Sequence, residues 1–455
     1  MTTGWRDDGM ARGPARLLTA DTLWPLAVLA CLFAFVATCP IRPQDFWWHL
    51  KVGQEIVQTH RIPQVDTFSY TRPGAPYPSY NVYWLADVAL YAVYALGGPA
   101  LSLFAHALLI TGAYLWLFLV CLRLTRGGEG QAVARGRACP HARAATLALF
   151  AALTLGFENW NLRPQALSLL LFTLTLGLVY AFRTGARTPR WWLAAFPALM
   201  LLWVNCHGSF PLQLVILGLW LVETVWERRR IGPRSRREIW VPAVALVLSA
   251  AAMLLNPQGA GIVAYLREMV ANPAVRQLQE WAPASLATRD GIAFWVLAPL
   301  GLALLLWAGR ARSGLFHWLV LIAFGLLAWR TGRAIVWFGL VLAPVCAELL
   351  PRVLERRGSC RAAHDTPPSC DSMPAPGSPT PPAGVRTGCP AAGGTGTPPR
   401  GERVVLAAVE LQQVRLQGFD DLLDLGPRIV HHQCHHADFL RHQVAQHARL
   451  PQQQP

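Results

Sequence analysis

Residues 101–122 read LSLFAHALLITGAYLWLFLVCL, twenty-two positions with no carboxylate, lysine or arginine. A helix of that length, rising about 1.5 Å per residue, is roughly 33 Å long, and the hydrocarbon core of a bilayer is about 30 Å thick. One such run is compatible with a buried core helix; its repetition is not. Further apolar runs occur at Leu23–Thr38, Ala144–Phe157, Ala166–Phe182, Leu193–Val204, Pro211–Trp226, Ile239–Leu255, Ile292–Ala308, Leu315–Ala328 and Ala334–Leu350. Of the 455 residues, 53% are hydrophobic and 14% charged, a composition foreign to a soluble globular chain of this length. The predicted fold class is an all-α polytopic membrane protein of about ten transmembrane helices.

A formal charge of +15 would suggest nucleic acid in a soluble chain. Here the arginines sit in short connections, which is the positive-inside pattern, and no nucleic-acid partner is expected. The connections 123–143, 183–190, 228–237, 310–312 and 352–357 are strongly basic and are assigned to the cytoplasm. They alternate with the less basic connections only if the short apolar run Trp84–Leu96, which ends at Gly97-Gly98-Pro99, does not cross. Ten spans with both termini inside follow, the first retained rather than cleaved. The outer face then receives 39–99, 157–165, 205–210, 256–291 and 330–333.

The predicted organisation is a cytoplasmic segment 1–22, a transmembrane domain 23–350 with long outer loops 39–99 and 256–291, and a tail 351–455. That tail is Pro/Gly-rich and then His/Gln-rich, and cannot bury a core. Within it His431, His432, Cys434, His435 and His436 read either as a metal site or as part of a basic tail. The ten cysteines include no CxxC pair, so no disulfide framework is expected.

Chemistry is sought in the outer loops. QDFWWHLKVGQEIVQ (44–58) can form an amphipathic interfacial helix with Phe46, Leu50, Gly53 and Val57 along one side. Asp45 and His49 are four residues apart, so a helix puts them on one face where they can address one substrate. Alternatively Asp45 stabilises the helix N-terminus, and Asp66, in IPQVDTFSY, begins a turn. Arg267, Arg276, Glu280 and Asp290 of the second long loop read as a solvated face.

The stretch DFWWHLKVGQEIVQTHRIPQVDTFSYTRPGAPYPSYNVYWLADVALYAVYALGG (45–98) resembles the first outer loop of a large group of bacterial multipass proteins placed with the GT-C glycosyltransferases, protein mannosyltransferase-like and family 39-like. NLRPQ (161–165), LLWVNCHGSF (201–210) and LNPQG (255–259) fit the same group in the same order, so the resemblance covers about residues 20–350. It implies a multi-pass protein of the bacterial inner membrane, transferring a sugar from a polyprenyl-phosphate donor to an acceptor on the outer face, with membrane lipid as surroundings. Asp45 occupies the place of the group's catalytic acid, where a carboxylate can take the proton of an attacking hydroxyl. His49 would orient that carboxylate or meet the donor phosphate. Arg163, His207, Arg330 and Arg333 are candidates for binding the lipid phosphate, a task for which guanidinium is well shaped.

The chain departs from the group's pattern in two ways. Gln44 or Pro43 fills the acidic position often found beside the catalytic one, so Asp66 would have to supply a second carboxylate if a divalent cation is used. The tail is also unlike the soluble C-terminal portion of many relatives. No phosphate-cradling or dinucleotide glycine motif occurs, which argues against a soluble cofactor. Two alternatives stand beside the enzyme: a non-catalytic member of the same fold, and a lipid or polysaccharide transporter. The transporter is disfavoured by few ionisable residues within spans, Glu158, Glu223 and Glu348 lying near predicted ends.

Overall fold

The computed structural model describes residues 20–42, 45–68, 73–77, 80–126, 140–185, 190–231, 236–272, 278–309 and 313–364. Pro43, Gln44, Arg276 and the histidine-rich tail lie outside them. Among the described residues the secondary structure is helical, with one isolated antiparallel bridge between Val65 and Pro76. The helices are α1 (Ala20–Thr38), α2 (Phe46–Thr59), α3 (Tyr80–Arg126), α4 (Pro140–Gly156), α5 (Gln165–Arg183), α6 (Ala195–Val204), α7 (Pro211–Ile231), α8 (Arg236–Ala252), α9 (Gly261–Ala271), α10 (Arg289–Ala308), α11 (Leu315–Arg330) and α12 (Ile335–His364).

Each expected apolar run overlaps one of these helices, with Phe157, Leu193 and Ala334 in flanking 3₁₀ turns and residues 253–255 beyond the end of α8. Four stretches are long and apolar enough to cross a membrane, at 81–125, 165–183, 289–308 and 332–351, and four shorter apolar helices of 10–17 residues lie at 23–38, 191–204, 239–252 and 315–330. Large apolar side chains such as Trp24, Val247, Leu306 and Trp329 face outward on them, as helices surrounded by lipid require. The runs Trp84–Leu96 and Leu101–Leu122 share α3, which is broken at Gly97 and Gly98. Gly98 has φ +60 and ψ −153, a conformation closed to a residue with Cβ, and Pro99 follows it.

The centre of the bundle is α12, whose residues from Ile335 to Val345 are buried almost without interruption. It packs on α4, where Ala145, Ala148 and Ala152 keep the facing surface low. Gly339 is the closest point: a Cβ there would stand 2.8 Å from that of Leu155 and 3.3 Å from the Ala152 carbonyl oxygen. Small residues that let backbones approach are how helices associate without a hydrophobic driving force between them.

The five connections assigned to the outer face meet at one end of the bundle. Asn256 Nδ2 donates to the carbonyls of Asn81 (2.7 Å) and Val204 (3.0 Å), and Asn205 Oδ1 accepts from Trp84 Nε1 at 2.7 Å. Gly332 N–H donates to the Ala282 carbonyl at 2.7 Å. Elsewhere in the bundle Arg183 grips Glu223 through Nε (2.7 Å) and Nη2 (2.8 Å), and Glu223 Oε1 also accepts the Phe316 N–H at 2.8 Å, at the start of α11.

Two local expectations are corrected. The inward stripe of α2 is Phe46, His49, Val52, Gly53 and Ile56, whereas Val57 is exposed. Phe46 and Gly53 of the expected apolar side are buried, and His49, expected off that side, is buried against Asp87. In the second long loop Asp290 is buried and its Oδ1 accepts the Gly291 N–H at 2.9 Å, so it belongs to the start of α10 and not to a solvated face. Arg267 is exposed, as expected.

Candidate functional site

Asp45 directly precedes α2 but makes no side-chain capping bond. Its carboxylate Oδ2 instead lies 3.2 Å from Arg163 Nη2. Arg163 stands in the turn that leads into α5, where the Ala166 N–H donates to its carbonyl at 3.1 Å and Pro164 fixes the last residue before the helix. The other arm of Arg163, Nη1, is 3.0 Å from Glu280 Oε2. Glu280 sits on the single 3₁₀ turn Gln279–Trp281, and its second oxygen, Oε1, is 2.6 Å from Arg333 Nη1. Arg333 also donates from Nη2 to Gln165 Oε1 at 3.3 Å, and its guanidinium lies 5.8 Å from the Trp281 ring centre.

Asp45, Arg163, Glu280 and Arg333 thus form one chain of alternating charge drawn from the segment before α2, the start of α5, the connection between α9 and α10 and the start of α12. Its carboxylates are more exposed than its cations: the side chains of Asp45 and Glu280 are 55% and 38% exposed, those of Arg163 and Arg333 16% and 24%. Half-buried guanidiniums beneath accessible carboxylates make a site that a water-borne or interfacial anion can reach.

His49 does not share a partner with Asp45. Its Nδ1 is 2.8 Å from Asp87 Oδ1, and Asp87 on α3 is wholly buried, with Oδ2 left without a partner. The two helices meet here because Gly53 allows it: a Cβ on Gly53 would fall 2.1 Å from the Asp87 carbonyl oxygen. A run of ring contacts leads from this pair, His49 to Tyr83 at 5.3 Å and Tyr83 to His207 at 5.5 Å between centres.

His207 is buried in the turn between α6 and α7. The Ser209 N–H donates to its Nδ1 at 3.1 Å and the Ser209 hydroxyl lies 2.8 Å from the same atom. Burial, with the positive charges of Arg333, His49 and Arg163 nearby, holds its pKa well below the ordinary 6.5. It is therefore a neutral imidazole with its proton on Nε2.

Of the residues expected to act together, Asp45 meets Arg163 directly, Arg163 and Arg333 are joined through Glu280, and His49 and His207 flank the same ring, Tyr83. Arg330 is exposed at the end of α11 and pairs with none of the described residues. Asp66 is placed by a local turn: Oδ1 accepts the Phe68 N–H at 3.0 Å, and the backbone of Asp66 bonds to Ala75 and Gly74. Among the described residues no three His, Cys, Asp or Glu side chains are grouped to hold a metal ion.

Sequence reading missed Glu280 and Asp87. A lone carboxylate in the apolar stretch VYWLADVALY was a signal for Asp87, because an intramembrane acid requires a partner. Nothing local marks Glu280, whose partners lie 117 and 53 residues away.

Apolar helices that face outward and a charged, water-accessible site at one end of the bundle define an all-helical membrane protein. No protein-family model matches the chain, and no curated protein matches it. The crystal structure of the Archaeoglobus fulgidus oligosaccharyltransferase in the apo form is similar to it at 16% identity with a TM-score of 0.47, over 75% of this chain and 52% of that one. The chain therefore spans about half the length of that protein.

Proposed function

We propose that the protein is a membrane glycosyltransferase that moves a sugar from a polyprenyl-phosphate donor to an acceptor hydroxyl on the outer face. The observation that carries this reading is the Asp45–Arg163–Glu280–Arg333 chain, which puts a candidate base beside two guanidiniums at one end of the bundle. The sequence resemblance to GT-C glycosyltransferases supports it independently. In this reading Asp45 takes the proton of the attacking hydroxyl, and the sugar's bond to phosphate breaks as the new glycosidic bond forms. Arg163 and Arg333 stabilise the negative charge that accumulates on the departing lipid phosphate. Neutral His207, beneath them, offers an Nε2–H donor without adding charge.

The test is transfer from labelled polyprenyl-phosphate sugars in membranes holding the full-length protein, beside Asp45→Asn at equal abundance. Transfer that disappears in Asp45→Asn supports the reading. Equal transfer in both removes Asp45 as the base, and transfer from no donor in either, with the protein folded, sinks the enzymatic reading in favour of a non-catalytic member of the fold.

A further inference from the structure

The two arginines assigned to the donor phosphate already hold an anion, and it is the protein's own. Glu280 places one carboxylate oxygen on each guanidinium, Oε2 at 3.0 Å from Arg163 and Oε1 at 2.6 Å from Arg333. Two oxygens of one anion set against two guanidiniums is also how phosphate is gripped. A phosphate bridging the same pair must take the position that Glu280 fills.

Three further observations bear on whether Glu280 is a permanent strut or an exchangeable occupant. Its side chain is more exposed than either arginine, at 38% against 16% and 24%, so it lies on the side from which a ligand arrives. Arg163 Nε is buried without a partner, so the arrangement around Glu280 leaves a donor of this guanidinium unused. The charges of Asp45 and Glu280 cancel those of Arg163 and Arg333. An incoming phosphate therefore meets no net positive charge until one carboxylate steps away, and only Glu280 contacts both arginines.

The geometry points to Glu280 as a resident competitor for the phosphate subsite, displaced when the lipid-linked phosphate binds; the inference rests on the donor class read above. A small free anion has to displace Glu280 with its phosphate contacts alone. A lipid phosphate brings the binding energy of its chain as well, so the carboxylate acts as a selectivity device against soluble anions.

The experiment measures binding of polyprenyl phosphate without a sugar, and of inorganic phosphate, to the full-length protein in zwitterionic nanodiscs. Glu280→Gln keeps the shape and removes the charge, and is expected to tighten binding by about tenfold or more, since charge-assisted contacts on both arginines are released to the ligand. Adding Arg333→Gln to Glu280→Gln should abolish that gain. Unchanged or weaker binding in Glu280→Gln overturns the proposal, and a gain confined to inorganic phosphate overturns the lipid as the displacing anion.

A second measurement uses the unaltered protein and does not depend on the variant folding. The backbone at 279–284 is pinned by the Gly332 N–H to Ala282 (2.7 Å) and by the Ala284 N–H to the Trp329 carbonyl (3.2 Å). Amide exchange there should rise with saturating polyprenyl phosphate and stay constant with polyprenol; no change with either overturns displacement. Tighter binding without any sugar transfer leaves this inference standing and fails the reaction, whereas transfer with unchanged binding in Glu280→Gln fails the inference alone.

Discussion

His49 Nδ1 and Asp87 Oδ1 stand 2.8 Å apart in a place that water scarcely reaches, with side-chain exposures of 7% and 0%. The pair joins α2 to the apolar helix α3 that follows it. A buried hydrogen-bonded pair is weak evidence for net stability, but removing one partner leaves the other unsatisfied. Asp87→Ala is expected to cost about 1–3 kcal/mol, read as a loss of unfolding free energy in detergent. Pairing His49→Phe with Asp87→Leu should recover much of that loss; a double variant as unstable as the single one would mean the pair is not the linkage described.

Arg183 and Glu223 form a second such contact, with the Phe316 N–H as a third participant. Glu223 there satisfies one of the free amides at the start of α11. Glu223→Ala removes a cation's partner and a cap together, and a loss at the upper end of about 3–5 kcal/mol is expected. Glu223→Gln keeps an acceptor for the amide and should lose less. Equal losses in the two variants would show that the cap contributes nothing.

The pKa of His207 is depressed by burial first and by Arg333, His49 and Arg163 next. An imidazole harder to protonate folded than unfolded contributes stability that is full above the unfolded value near 6.5 and is lost as pH falls toward the folded value. Unfolding measured between neutral pH and about pH 5 should therefore show stability falling with acid, with a smaller slope in His207→Gln. Parallel slopes would place the acid sensitivity elsewhere.

Arg163 contacts two carboxylates with two different nitrogens, which a lysine cannot reproduce because its charge is a single point. In the enzymatic reading Arg163→Lys should raise the KM for the lipid donor by about tenfold or more while folding is retained. Unchanged KM would remove Arg163 from the donor site.

Sequence periodicity located the helices because apolar runs of this length have few other uses, and Gly97-Gly98-Pro99 marked the break in α3 that the backbone adopts. Loop charge grouped Asp45, Arg163, His207 and Arg333 at one end, and contacts among their loops place them there. The partners were less legible. Glu280 looked like surface because an acid beside Trp281 has no local pattern that announces two distant arginines. The apolar side of α2 was legible in part: Phe46 and Gly53 are buried as that pattern suggests, whereas Val57 is exposed and His49 is buried against a carboxylate on another helix that hydrophobicity alone does not announce.

The contact at Gly53 restricts traffic. With the Asp87 carbonyl seated where a side chain would begin, the seam between α2 and the first part of α3 is too narrow to admit a hydrocarbon chain. Any side chain at position 53 would have to push α2 off α3, and with it the buried contact between His49 and Asp87, so the one residue of that helix that has no side chain is what lets the two helices close.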